Sequence, residues 1–393
     1  MTFGIAILLL KNPKIRTRHG LTVFCSAIVL LLYMNVVREG LRYGDLTDYV
    51  QGAFDLHNHA PFNYRYIYPP LLATLCQPFL WLGTDGLTAG IWCLNWVGLA
   101  LFFALLVNTL KINGISHRFA HLIVFLFMLV NVPVLRTLCY GQVNFHMMNL
   151  ILLSCLTYPR HKALSACMLA LAVHLKASPI IFALPFLYTR DMKWIIRFGV
   201  ALVLLFALTY CFYGWQPFAS FLANAKNIYA ANGINFRECS IDAVVRTCAI
   251  FLGTNGDAWV PVVKIPVLIG LLAGVHYSIR KKIWDSTKGD CAYILNSLPP
   301  LLFVMVFASP LVWEHHFVFL SLPALLLLKK IRTSTEWVAY GFAYLLIMLI
   351  PAFDFFPLSF CRLVGAGILF CLCIRAARYD TSPGFTELSR KVG

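Results

Sequence analysis

The chain has 393 residues, of which 60% are hydrophobic, 15% aromatic and only 12% charged, and its mean hydropathy is +0.77. A soluble domain carries about a quarter charged residues, so this composition excludes one and indicates a polytopic membrane protein. The formal net charge of +16 comes without a basic groove-binding motif or a helix-turn-helix pattern, which argues against a nucleic-acid partner.

Met1 to Leu10 is a short apolar run followed by Lys11, Lys14, Arg16 and Arg18. That order is the reverse of a cleaved signal peptide, and the segment is expected to be retained. About 20 apolar residues cross a hydrocarbon core some 30 Å thick. Hydropathy then places spans near 21–37, 87–110, 119–135, 141–158, 163–175, 177–189, 194–213, 259–279, 291–308, 315–328, 335–351 and 358–374. The expected fold is all-α, a single transmembrane domain over 1–393 of about twelve helices, with polar loops at 38–82 and 214–258. The apolar stretch 69–82 is too short to cross and carries Pro69, Pro70 and Pro78, so it reads as re-entrant or juxtamembrane. Thirteen cysteines lie mostly inside apolar stretches with no CxxC spacing, and read as small core residues.

The positive-inside rule orients the chain. With 69–82 only dipping into the surface, all but ten of the 32 Lys and Arg fall on one side. The exceptions are Arg38, Arg42, Arg65, Arg136, Lys176, Lys226, Arg237, Arg246, Lys264 and Arg362. Both termini are therefore expected in the cytoplasm of a cell with a cytoplasmic (inner) membrane, and the loop that carries Asp45 outside it. The same assignment sends Cys139 to Asn144, His174 to Pro179, Gly214 to Asp257 and Ser309 to His316 to the outer face, where an external site is expected.

The chemistry available there can be read by residue type. Lys176 sits where two short apolar segments meet beside Pro179, and suits either an anion such as a lipid phosphate or snorkelling to the headgroups. His315 and His316 open an apolar helix, where the helix dipole also favours an anion, although interfacial anchoring beside Trp313 explains them too. A zinc site would need His57, His59, His315 and His316 to converge, and no spacing puts three ligands on one face. Asp45 and Asp48, three apart, share a face if helical; one of them could take a proton from a hydroxyl, or both could pair with nearby arginines. Tyr49, Tyr64, Tyr66 and Tyr68 could stack on sugar faces or anchor the loop at the interface.

Taken in order, these motifs resemble glycosyltransferase family 87, of the GT-C class. The resemblance is carried by Gly44-Asp45-Leu-Thr-Asp-Tyr49 with Gly52-Ala53, Tyr68-Pro69-Pro70, Gly141-Gln142-Val-Asn144, Leu175-Lys176-Ala-Ser-Pro179, Ser240 to Arg246, and Ser309 to His316. It implies a membrane enzyme that moves a hexose, mannose by family weight, from a polyprenyl-phosphate donor to an acceptor hydroxyl on a lipid or glycan at the outer face. It implies Asp45 as the general base of an inverting transfer, Lys176, His315, His316 and Arg65 as contacts of the donor phosphate, and Tyr49, Tyr66, Tyr68, Gln142, Asn144 and Arg246 as substrate contacts. Asp48 and Glu314 depart from the family pattern and stand as candidate second acids. No cofactor or metal ligand is expected; the Asp45 and Asp48 pair leaves a divalent ion as the exception. The competing reading is a multi-pass transporter or lipid-linked sugar flippase.

Overall fold

The computed structural model describes residues 44–231, 238–285, 291–350, 353 and 355–379. The expected span 21–37, Arg38, Arg42, Arg237 and both termini lie outside the described residues. Every described element is helical, and no strand occurs among them.

The first, α1 (Gly44–His57), is amphipathic: Leu46, Tyr49, Val50, Ala53 and Leu56 recur at helical spacing and are all buried. Asp45 lies in its first turn, where the free backbone N–H groups favour a carboxylate. An irregular loop follows, and Gly52 explains how closely it packs, because a Cβ there would lie 2.3 Å from the Tyr66 ring.

The expected dip at 69–82 forms α2 (Leu71–Cys76) and a 3-10 turn (Gln77–Leu82), then passes at Gly83, with φ 69°, into α3 (Gly83–Ile112). Helical residues follow one another over Leu71–Ile112, 42 residues, but the left-handed Gly83 turns the chain between the expected dip and the span. At 1.5 Å per residue α3 alone is about 45 Å long, more than a bilayer core requires. The α2 segment packs against α1 and reaches α9 (Met192–Tyr213), where the Thr74 and Thr209 hydroxyls meet at 2.9 Å.

Among the described residues three other helices are long and apolar enough to cross a membrane: Met192–Tyr213, Gly256–Arg280 and Leu358–Ala377. The expected span 119–135 is a bent pair, α4 (His117–Leu129) and α5 (Val132–Cys139), turned by 65°. Asn131 explains the bend. It caps α5 by accepting the Val134 N–H at 3.0 Å, and Pro133 follows in the first turn, where its missing N–H costs nothing. The next two expected spans are α6 (Asn144–Thr157) and α7 (Lys162–Leu175), each 14 residues and about 21 Å long. A 3-10 turn (Ser178–Ala183) and α8 (Leu184–Tyr188) take up 177–189.

After α9 come α10 (Gln216–Ala231), α11 (Ile241–Phe251), α12 (Gly256–Asp285) and α13 (Cys291–Ala308). A 3-10 helix (Glu314–Leu320) leads into α14 (Ser321–Leu327); α15 (Ser334–Tyr344) and a π turn (Leu345–Leu349) precede α16 (Cys361–Tyr379). One large core joins α3 to α7 with α13 to α16, and a smaller one seats α1 on α2 and α3. The short helices place polar chain ends within the bundle: α6 begins at Asn144, α7 stops before Lys176, and α13 stops before Ser309.

Candidate active site

Those ends enclose a cavity of about 810 Å³. Nine of the candidate residues read from the sequence line it: Asp45, Asp48, Tyr64, Arg65, Tyr68, Gln142, Lys176, His315 and His316. They come from five separate stretches of chain. Ile67, Ile181, Phe221, Val304 and Met305 form its apolar wall.

Asp45 is held by its neighbours rather than by an ion pair. The Gln142 amide and the Tyr68 hydroxyl bond to its carboxylate, and Lys176 faces it as a positive charge. Desolvation nevertheless prevails and raises its pKa above the usual 3.8. Asp48 is pushed up to about 6, first by burial and then by the Asp45 charge, while Arg65 opposes both. Such a carboxylate can both take and release a proton near neutrality.

The Gly-Gln-Val-Asn turn is built for this contact. Gly141 has φ 69°, and a Cβ on it would lie 2.8 Å from Leu46 Cβ, so glycine lets α1 approach. Gln142 is 1% exposed; its Oε1 accepts the Tyr49 hydroxyl at 3.1 Å, which directs its NH2 group away from Tyr49. Asn144 does not reach the cavity. Its amide donates to the His315 carbonyl at 3.4 Å, and the Thr137 hydroxyl donates to the same carbonyl at 3.2 Å.

Lys176 stands at the break between α7 and the following 3-10 turn, with Nζ 2.7 Å from His316 Nε2. The Trp313 N–H donates to His316 Nδ1 at 3.0 Å, so the imidazole orientation is fixed from its far side. Burial draws the lysine down to about 8, against the pull of Asp45. His315 is 3% exposed, and among the described residues neither of its ring nitrogens meets a protein partner. An anion entering here meets an amine, two imidazoles and, at the rim, the exposed Arg65 guanidinium.

Glu314 is turned away from the cavity. Its carboxylate lies 2.9 Å from Arg136 Nε and 2.9 Å from Arg362 Nη2, and all three residues are buried. Arg362 also donates to the Ile350 carbonyl. Two guanidinium groups take up the carboxylate, and the pairing anchors the chain from which His315 and His316 project. Charged residues inside apolar stretches were the signal for this triad.

The other expected contacts lie behind the wall or apart from it. Tyr49 and Tyr66 are 0% exposed; Tyr49 packs edge-on against Tyr68 at 4.8 Å, and the Tyr66 hydroxyl donates to the Pro69 carbonyl at 3.3 Å. Arg246 pairs with Asp257 at 2.8 Å, and neither lines the cavity. His57 and His59 are exposed at the end of α1, and no three metal-ligating side chains cluster among the described residues. Sequence reading missed Tyr140, which lines the cavity with its ring centroid 5.5 Å from that of His315. The rim is tied by Asn224, whose amide donates to the carbonyls of Phe62, Asn63 and Tyr66 at 3.3, 2.8 and 3.1 Å.

A family model described as glycosyltransferase family 87 matches residues 66–310, well over half of the chain. The chain belongs to this family. Its relatives include a polyprenol-phosphate-mannose-dependent alpha-(1-2)-phosphatidylinositol mannoside mannosyltransferase of Mycobacterium tuberculosis, 27% identical over 304 residues. That alignment covers 70% of this chain and 65% of the relative. A protein of the same description from Mycolicibacterium smegmatis is 24% identical over 319 residues, 74% of this chain and 67% of the relative. The chain thus spans about two thirds of the length of these relatives. No solved structure matches it. The family 87 match runs from Tyr66, behind the cavity wall, to Pro310, and so takes in Tyr68, Gln142 and Lys176.

Proposed function

We propose that the chain is a mannosyltransferase that takes mannose from a polyprenyl-phosphate donor and places it on a hydroxyl of a glycolipid acceptor. The single observation that carries this reading is the cavity, in which the Asp45 carboxylate, with Asp48 near it, shares a space with Lys176, His315 and His316. A lipid-linked donor brings its own phosphate leaving group, and an amine with two imidazoles is a suitable anion seat. No nucleotide site is needed. The named activity of the relatives and the family match support the same substrate class.

The proposed step is a single displacement. The acceptor O–H gives its proton to Asp45 as its oxygen bonds the sugar C1, and the C1–O bond to phosphate breaks with its electron pair leaving on the polyprenyl phosphate. One base on the acceptor side and cations on the phosphate side make the transfer inverting. Lys176 and His315 stabilise the charge that grows on the phosphate, and the apolar wall limits hydrolysis. The cavity faces the outer side of the cytoplasmic membrane, in keeping with the distribution of Lys and Arg.

The test is transfer of radiolabelled mannose from polyprenyl-phosphate mannose to a phosphatidylinositol mannoside acceptor in membranes holding the full chain. Asp45→Asn is expected to abolish it while the protein remains folded and inserted; full activity would overturn the base assignment. Retained binding of labelled donor without any transfer by the unaltered protein would favour a flippase instead.

A further inference from the structure

Each transfer leaves a proton on Asp45, and the base must lose it before the next acceptor can react. The immediate neighbours of Asp45 do not provide that exit. Gln142 and the Tyr68 hydroxyl bond to it as donors, and Lys176 faces it as a cation. Donor and acceptor lipids, when bound, occupy the cavity in front of it. What remains is the helix on which it stands. Asp48 is one turn further along the same face of α1, about 5–6 Å away by helix geometry, and it lines the same cavity. Next to it is Arg65, exposed at the mouth, whose Nε donates to the Tyr64 hydroxyl at 3.1 Å. The two carboxylates therefore sit in series, one against the reacting groups and one at the solvent rim.

We propose that Asp48 relays the proton from Asp45 to bulk water after each transfer, a role that rests on Asp45 being the base. The proton passes from the Asp45 carboxyl to the Asp48 carboxylate through one bridging water, as the separation requires. Asp48 then gives it to solvent at the mouth. Asp45 returns to its carboxylate form and no bond to carbon changes. Arg65 favours the ionised form of Asp48, so the relay starts each cycle able to accept.

Comparison of the first turnover with steady-state turnover in the full chain tests this, because a relay acts only after the chemistry. With enzyme in excess over radiolabelled polyprenyl-phosphate mannose and with a phosphatidylinositol mannoside acceptor, Asp48→Asn should transfer its first mannose within about twofold of the unaltered rate. Its steady-state rate should fall at least about tenfold, the scale of a lost proton-transfer group, and a burst should appear. Added formate or imidazole should recover part of that loss, and Asp48→Glu should recover most of it. A first turnover slowed as much as the steady state, or an unchanged steady state, would overturn the relay, and a raised acceptor KM would reassign Asp48 to acceptor binding. Asp45→Asn, run beside it, should lose the first turnover. If it keeps that turnover the base reading fails on its own evidence, and if the unaltered protein transfers nothing the mannosyltransferase reading fails.

Discussion

The Tyr49 hydroxyl donates to Gln142 Oε1 at 3.1 Å across 93 residues of sequence. The bond fixes which end of the amide is free, and the free end is the NH2 group that meets Asp45. A residue that touches no substrate therefore sets the orientation of one that holds the base.

Gln142→Leu removes both bonds and leaves the Tyr49 hydroxyl with Tyr68 and the Val143 backbone, a loss of about 1 kcal/mol. Transfer should fall by roughly ten- to a hundredfold in kcat with little change in donor KM. Tyr49→Phe should cost less, because Gln142 then keeps its place by packing alone. Equal losses in both variants, measured by initial rates on polyprenyl-phosphate mannose, would mean that Tyr49 acts otherwise than through the amide.

The pH profile follows from the raised carboxyls and the lowered amine. Asp45 works ionised and its pKa lies above 3.8, so kcat/KM should fall as pH drops through that raised value and be retained above it. Lys176 works protonated and is drawn down to about 8, so donor binding should weaken as pH rises through about 8. Initial rates across the range should give a bell. Lys176→Arg, whose guanidinium stays charged, should remove the alkaline limb.

Arg362→Met removes one of the two arginines paired with Glu314 and should destabilise the chain by about 3–5 kcal/mol, the cost of breaking a buried pair. Arg362→Met combined with Glu314→Gln should be milder, because no carboxylate is then left short of charge. Thermal unfolding in detergent checks the order of the two, and a double variant worse than the single would contradict it.

Gly141→Ala should impair transfer through α1 without touching substrate. The new Cβ lies 2.8 Å from Leu46 Cβ, and the φ of 69° is strained for any L side chain, about 1 kcal/mol or more before the clash is counted. Gly90→Ala, with nothing within 4 Å in the middle of α3, is the control and should leave the rate unchanged and stability equal or higher by up to about 1 kcal/mol. Comparable losses in the two would show that helix packing at large, rather than the seat of α1, is being measured.

Much of the site could be read from the sequence because polar residues in an apolar chain need a reason. Asp45, Lys176, His315 and His316 stood out for that reason, and one cavity brings them together. The tyrosines were harder, since both sugar stacking and anchoring suit them. The spacing of Leu46, Tyr49, Val50 and Ala53 carried a signal that Tyr49 faces inward, and Tyr49 is indeed buried. Glu314 was read beside the phosphate site because chain neighbours were all that sequence offered. Arg136 and Arg362 are distant in sequence and reach it only through helix packing. The join of 69–82 to the following helix escaped hydropathy because Pro69, Pro70 and Pro78 resemble helix breakers, yet Pro70 stands at the N-cap of α2 and Pro78 opens the 3-10 turn.

Asn224 has two amide hydrogens and three carbonyls within reach. It cannot satisfy Phe62, Asn63 and Tyr66 fully at once, so the bonds are shared and can be traded as the loop shifts. That loop carries Arg65 and Tyr68 into the cavity, while α10, which carries Asn224, contributes Phe221 and Ala225 to the lining. One side chain thus holds α10 to that loop like a latch with spare catches. A lipid wedged between loop and helix would have to work against this amide first, which ties admission of substrate to the seating of the residues around Asp45.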